Sequence, residues 1–113
     1  MKRMSILEVV GSPNWIPTES GLKVFDAIYP VIKSGEGVEL SFAGKTFVTT
    51  AFLNAAIGRL YNGDFTDDYL SQMFHPVDTT ESDREKLTRV VANAKVYYAH
   101  PEIHDAVLNE EAN

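Results

Sequence analysis

Hydrophobic and polar residues follow two different periods along the chain, one typical of strands and one typical of helices. The clearest strand pattern covers five consecutive residues, Val38, Glu39, Leu40, Ser41 and Phe42. This period of two predicts a strand with one buried face. The apolar run Ile6–Val10 predicts an earlier strand, which the turn residues at 11–14 would end.

Longer stretches place apolar residues three and four positions apart, as in helices that bury one face. They cover about residues 18–33, 50–62 and 80–100, and a shorter helix at 66–74 precedes an extended segment at 74–77. Pro30 is expected to kink the first helix or to make its last turn irregular, because proline removes a backbone hydrogen bond. The order of these strands and helices is typical of an α/β domain.

Two adjacent threonines, Thr49 and Thr50, lie where the second long helix is predicted to begin. A threonine hydroxyl at that place can cap the free backbone N–H groups of the helix. The partial positive charge of the same N–H groups would also favour a phosphate on the hydroxyl. The pattern therefore has two interpretations, a plain helix cap and a phosphoacceptor or anion site.

The sequence FVTTAFL at residues 47–53 is similar to a turn of the STAS-like domains, a family of small bacterial and phage domains related to the anti-sigma-factor antagonists. In the antagonists a serine of this turn is phosphorylated by a partner kinase, and Thr50 stands at the corresponding position. Thr49 stands where the antagonists have aspartate. The segments ESGLKVF at 19–25 and TESDREKL from residue 80 also resemble the family, so the resemblance covers about residues 18–98.

This resemblance implies the STAS-like fold, an α/β domain with a small mixed β-sheet and helices packed chiefly on one face, which agrees with the predicted order of elements. It also implies a non-catalytic role in protein–protein regulation, similar to that of an anti-sigma-factor antagonist. In such a role Thr50 would contact a partner such as a histidine-kinase-like ATPase, which would hold the ATP. Phosphorylation would add about −1.5 to −2 charges and change that contact.

Two other functions stay open at this point. A small-molecule sensor would bind the anionic group of its ligand at the start of the helix. A structural or phage-associated oligomeric module would need no switch, and Thr50 would then only cap the helix. The sequence does not specify an oligomeric state.

Three further residues are candidates for a partner surface. Trp15 precedes Ile16-Pro17 in a stretch predicted to be extended, and it either covers the core or anchors a partner, since tryptophan is enriched among interface hot spots. Asn54 adds a polar group to the second long helix. Gly58 belongs to a small-residue face of that helix, which either packs closely against the sheet or is approached by a partner.

Composition narrows the range of partners and compartments. Ten basic and sixteen acidic residues give a net charge of −6, and basic residues form no cluster, so nucleic acid is not an expected partner. The chain has no cysteine, which excludes disulfides and thiol catalysis. No run approaches the roughly 20 apolar residues of a membrane span. We therefore expect a cytoplasmic protein that does not bind membranes.

Candidate catalytic and metal-binding residues are weak. His100 and His104 are four residues apart, but Pro101 lies between them and no third ligand is indicated, so neither a metal nor a cofactor is expected. The chain lacks a glycine-rich phosphate loop and a nucleophile elbow, and it is therefore not expected to be an enzyme. The 113 residues are predicted to form a single domain with a frayed tail at 102–113.

Overall fold

The computed structural model describes residues 1–99. The strands are β1 (Lys2–Ser5), β2 (Asn14–Trp15), β3 (Val38–Ser41), β4 (Phe47–Val48) and β5 (Phe74–Val77). The helices are α1 (Ile6–Val10), α2 (Thr18–Lys33), α3 (Thr50–Ala56), α4 (Asp67–Met73) and α5 (Glu81–Ala99), and a 3₁₀ helix at Gly58–Tyr61 follows α3.

The strands form two small parallel sheets. Three strands pair in the order β1-β3-β5, and β2 pairs with β4 in a separate two-stranded ribbon. Leu40 at the centre of β3 lies between Met4 of β1 and Pro76 of β5. The predicted α/β class and small sheet are confirmed. Every strand pair within residues 1–99 is parallel, so the sheet is parallel where a mixed one was expected.

Helices cover chiefly one face of the three-stranded sheet. Val38 and Leu40 point to that face and are fully buried, as the period of two in β3 predicted. The alternate positions form a polar row across the other face, in which Arg3, Glu39 and His75 are neighbours. Because these side chains are exposed or only half-buried, that face of the sheet stays accessible to solvent.

The predicted strand at Ile6–Val10 is wrong, since these residues form α1. Ser5 caps the helix, because its Oγ accepts a hydrogen bond from the backbone N–H of Glu8 at 3.2 Å. Gly11, with φ of 77°, ends the helix in the left-handed conformation that glycine adopts without strain. The strand that pairs with β3 lies one segment earlier, in β1.

The second long helix is also shorter than predicted. α3 ends at Ala56, and Ile57 adopts φ of −121° and ψ of −43°, outside the helical region. The chain then continues as the 3₁₀ helix to Tyr61. Gly58 is the residue whose low helix propensity favours a break at this point.

The other predicted elements are confirmed within the described residues. α2 begins at Thr18 and includes Pro30 in its last turn, where the backbone N–H of Ser34 donates to the carbonyl oxygen of Pro30 at 3.0 Å. α4 is followed directly by β5, and α5 extends to Ala99. The expected helix end at Pro101 and the expected frayed tail at 102–113 lie outside the described residues.

Aromatic side chains form the centre of the core. Trp15 is fully buried, and its ring centroid lies 5.8 Å from that of Phe42 and 6.0 Å from that of Phe52. These centroid distances are typical of favourable aromatic pairs. Trp15 of β2 therefore joins the two-stranded ribbon to α3 and to the end of β3.

Helix α2 approaches α3 closely at Gly21. A Cβ atom placed on Gly21 would overlap the carbonyl oxygen of Phe52 and would lie 2.9 Å from Cβ of Ala55. Any side chain at this position would therefore push α2 away from α3. In contrast, a Cβ atom on Gly58 would lie 3.5 Å from Val90 and 3.6 Å from Ala94, which are ordinary packing distances.

Gly21→Ala should lower the free energy of unfolding by about 1–3 kcal/mol, because the overpacking outweighs the better helix propensity of alanine. Gly58→Ala is the matched control and should be neutral or stabilising by up to about 1 kcal/mol. Urea unfolding followed by the fluorescence of Trp15 measures both variants. Equal effects of the two substitutions would contradict the close approach at Gly21.

Candidate functional site

The turn between β4 and α3 positions the two candidate threonines. Thr49 has φ of −107° and ψ of 158°, and its Oγ1 accepts a hydrogen bond from the backbone N–H of Phe52 at 3.1 Å. The same hydroxyl donates to the carbonyl oxygen of Ile16 at 2.8 Å. Thr49 is therefore the helix cap, and it also ties the turn to the end of β2.

Thr50 is the first residue of α3, and it is not the cap that the sequence also allowed. Its side chain is half-buried, and its hydroxyl has no hydrogen-bond partner among residues 1–99. The two threonines thus differ in chemistry, since the hydroxyl of Thr49 makes two hydrogen bonds. Of this pair, only the Thr50 hydroxyl makes no hydrogen bond to another residue of 1–99.

Two exposed apolar side chains flank the threonine turn. Phe47 is 63% exposed and Ile16 is 46% exposed. Asn14 pairs with Phe47 and Trp15 pairs with Val48, so Ile16 and Phe47 lie on the outer face of the ribbon. Each is a large apolar side chain in contact with water, and the two lie on the same face of the ribbon.

A buried ion pair attaches the loop before β4 to the start of α5. The ammonium of Lys45 lies 2.8 Å from Oδ2 of Asp83, and these side chains are only 15% and 2% exposed. Asp83 also caps α5, because its Oδ2 accepts from the N–H of Thr80 at 2.9 Å while Thr80 Oγ1 accepts from the N–H of Asp83 at 3.1 Å. Lys86 adds a hydrogen bond to the carbonyl oxygen of Val48 at 3.3 Å.

These contacts determine the charge state of Asp83. Burial alone would raise the pKa of its carboxyl group, but hydrogen bonds from Lys45 and Thr80, together with the positive charge of Lys45, lower it below the ordinary value for aspartate. The ionised carboxylate is therefore the form that holds the loop before β4 against the start of α5.

Two residues that the sequence suggested for a partner surface belong to the core. Trp15 is 0% exposed, and its Nε1 donates to the carbonyl oxygen of Ser12 at 2.8 Å, so it covers the core and presents no surface to a partner. Gly58 is buried, and it packs against α5 where contact with the sheet was expected. Asn54 is half-buried and lies one helical turn after Thr50.

Sequence reasoning missed Phe47 and Ile16 as surface residues and missed the Lys45–Asp83 pair. Phe47 and Val48 are adjacent and both apolar, so the sequence does not indicate which of the two faces solvent. That choice depends on the burial of Trp15, which pairs with Val48 in the ribbon. The ion pair joins residues 38 positions apart and leaves no local signal.

Other kinds of site find little support in the described part of the chain. Residues 1–99 contain no group of three or more His, Cys, Asp or Glu side chains arranged to hold a metal ion. Among these residues no helix has both the length and the apolar character that crossing a membrane requires. The histidines at positions 100 and 104 lie outside the described residues.

Thr49→Ala should lower the free energy of unfolding by about 1 kcal/mol, because it removes the cap of α3. Thr50→Ala should change stability by a few tenths of a kcal/mol at most, since alanine has the higher helix propensity. Thermal and urea unfolding of the two variants test this difference. A larger loss for Thr50→Ala than for Thr49→Ala would show that the cap is assigned to the wrong residue.

The Asp83 carboxylate should make stability depend on pH in the acid range. Because its pKa is lower in the folded protein than in the unfolded chain, its contribution is present above the unfolded pKa of about 3.9 and is lost as the pH falls further through the folded value. Unfolding of wild type and Asp83→Asn should therefore differ most at neutral pH and converge as the pH falls through the folded pKa. Glu81→Gln, at an exposed position of α5, is the control. A difference that stays constant with pH would contradict the role of the ionised form.

Comparison with known families identifies the domain to which this turn belongs. Residues 20–84 match the family model of a STAS-like domain of unknown function, DUF4325. The matched range begins at the third residue of α2, includes both candidate threonines and ends within the first turn of α5. No curated protein and no solved structure matches the chain significantly. Because more than half of the chain fits the family model, the protein belongs to this family of STAS-like domains.

Proposed function

We propose that this STAS-like domain is a non-catalytic regulatory module that binds a protein partner through the surface formed by Ile16, Phe47, Thr49 and Thr50, named here the Thr50 surface. The observation that carries the proposal is the exposure of Phe47, at 63%, next to the threonine turn. A large aromatic side chain held outward by the ribbon is costly to leave in water and favourable to bury in an interface.

The rigidity of its support favours the Thr50 surface as a binding site. Thr49 joins the turn to β2 through Ile16, and Lys86 bonds to β4 through Val48. Trp15 fills the space directly beneath the ribbon. A partner would therefore meet a preformed surface, and binding would cost little conformational entropy.

Thr50 supplies a means of regulation within that surface. Its hydroxyl lies at the start of α3, three residues after Phe47, and no other residue of 1–99 accepts or donates a hydrogen bond there. A phosphate would add about −1.5 to −2 charges three residues after the exposed Phe47. A partner that buries Phe47 would then have to desolvate the phosphate or pair it with arginine. A histidine-kinase-like ATPase is the partner that fits a phosphorylation switch of this kind.

The proposal is tested by titrating the domain with the histidine-kinase-like ATPase encoded nearest to its gene, using isothermal calorimetry. Phe47→Ser should weaken binding at least about tenfold, since burying a phenylalanine contributes roughly 1.5–3 kcal/mol. Thr50→Glu should change the affinity by a similar factor while leaving the unfolding midpoint close to that of wild type. Thr50→Ser should bind like wild type because it keeps the hydroxyl.

Val96→Ser is the matched control, because Val96 is also an exposed apolar residue, 42% accessible, but lies near the end of α5. It should leave the affinity unchanged. If Phe47→Ser and Val96→Ser bind equally well, the Thr50 surface is not the binding site. If Thr50→Glu binds like wild type while Phe47→Ser does not, the surface binds the partner without a phosphorylation switch.

A further inference from the structure

Lys86 is a half-buried cation in the second turn of α5, and it forms no ion pair with a carboxylate of residues 1–99. The other lysine of this region, Lys45, is already paired with Asp83 at 2.8 Å. Lys86 instead donates to the carbonyl oxygen of Val48 at 3.3 Å, which is longer than usual for such a hydrogen bond. Because an ammonium group has three donors, this contact leaves Lys86 able to bind an anion.

Helix α5 runs in the same direction as the segment from β4 to the 3₁₀ helix. Lys86, near the start of α5, bonds to Val48 of β4. Further along, the ammonium of Lys95 lies over the ring of Tyr61, 5.7 Å from its centroid. The two contacts occur in the same order along both segments. The start of α3 at Thr50 therefore lies beside the first turns of α5.

Thr50 also lies on the side of α3 that faces α5. Asn54 is one helical turn after Thr50 and shares its face. Its Oδ1 lies 3.6 Å from the position of a Cβ atom on Gly58, and that same position is 3.5 Å from Val90 of α5. On α5, Lys86 precedes Val90 by four residues, so the two share one face of that helix. Thr50 and Lys86 are therefore on the facing sides of the two helices.

We propose that Lys86 pairs with the phosphate of phosphorylated Thr50 within the same molecule. The inference rests on the proposed regulation at Thr50. In the modification step a kinase transfers the γ-phosphoryl group of ATP to Oγ1 of Thr50, and ADP and the hydroxyl proton are released. Val48 and Thr50 are two residues apart, which is at most about 7 Å of chain, and the flexible four-carbon stem of Lys86 lets its ammonium move towards the phosphate.

This ion pair changes what phosphorylation does to the domain. In the unmodified protein Lys86 holds α5 to β4 through the neutral carbonyl group of Val48. A phosphate carries about −1.5 to −2 charges and is the stronger acceptor, so Lys86 moves from Val48 to the start of α3. The domain then neutralises part of the phosphate charge with its own cation, in addition to any arginine that a partner supplies.

A double-mutant cycle in the free full-length chain tests the ion pair. Phosphothreonine is incorporated at position 50 during translation, in wild type and in Lys86→Met, and urea unfolding is followed by the fluorescence of Trp15 with and without the phosphate. Phosphorylation should raise the unfolding equilibrium constant about fivefold more in Lys86→Met than in wild type, which is the contribution expected of charges about 4 Å apart near water. This difference should shrink in 1 M salt, where charges are strongly screened.

Lys23→Met is the matched control, because it also removes one lysine. Lys23 is exposed on α2 and lies two positions after Gly21, so it points about 200° away from the contact with α3. Phosphorylation should affect Lys23→Met and wild type equally. Lys86→Arg keeps the positive charge and should behave like wild type as well, which separates the ion pair from a packing role of the lysine stem.

Equal effects of phosphorylation in Lys86→Met and Lys23→Met would overturn the proposal. A difference that persists unchanged in 1 M salt would also overturn it, since the contact would then not be electrostatic. Because no partner is present in these measurements, they are independent of the proposed binding. If Lys86 couples to the phosphate while phosphorylation leaves the partner's affinity unchanged, the ion pair stands and the regulatory role of Thr50 fails.

Discussion

The contact of Trp15 with Phe42 and Phe52 is the interaction on which most of the molecule depends. It connects the two-stranded ribbon, the end of the central strand and the first turn of α3, which are far apart in the sequence. Because Trp15 and Val48 are paired and both point inward, their strand neighbours must point outward. The buried aromatic cluster therefore determines that Phe47 faces solvent. The surface chemistry at the threonine turn is a consequence of how the core is filled.

Local sequence patterns were sufficient for elements whose own residues decide their structure. The alternation at Val38, Leu40 and Phe42 identified β3, and helical spacing identified α2 and α5. The same patterns failed at Ile6–Val10, because a short apolar run fits a buried strand and a helical turn equally well. The deciding signals were the cap at Ser5 and the left-handed Gly11, which are turn chemistry and carry no hydrophobic period.

The candidate site was predictable in position but not in detail. Adjacent threonines before a helical pattern placed the turn correctly, yet which hydroxyl caps depends on the backbone angles of Thr49. The burial of Trp15 and Gly58 depends on residues more than 25 positions away, Phe42 and Val90 among them. Contacts between residues so far apart leave no pattern in a single sequence. For the same reason the connection from Lys45 to α5 could only be found in the folded structure.

The parallel pairing of β1 with β3 has a consequence for the way the chain is made. Lys2 faces Val38 across the ladder, so the first strand leaves the ribosome long before its neighbour exists. Until then residues 2–5 have no strand of their own chain to pair with, and unpaired strand segments readily pair with other chains. Lys2 and Arg3 oppose this by charge repulsion, as cations on edge strands generally do. In the folded protein Nη2 of Arg3 lies 2.6 Å from Oδ2 of Asp78, the residue directly after β5. The carboxylate that neutralises Arg3 thus follows β5, the strand of this sheet that is synthesised last.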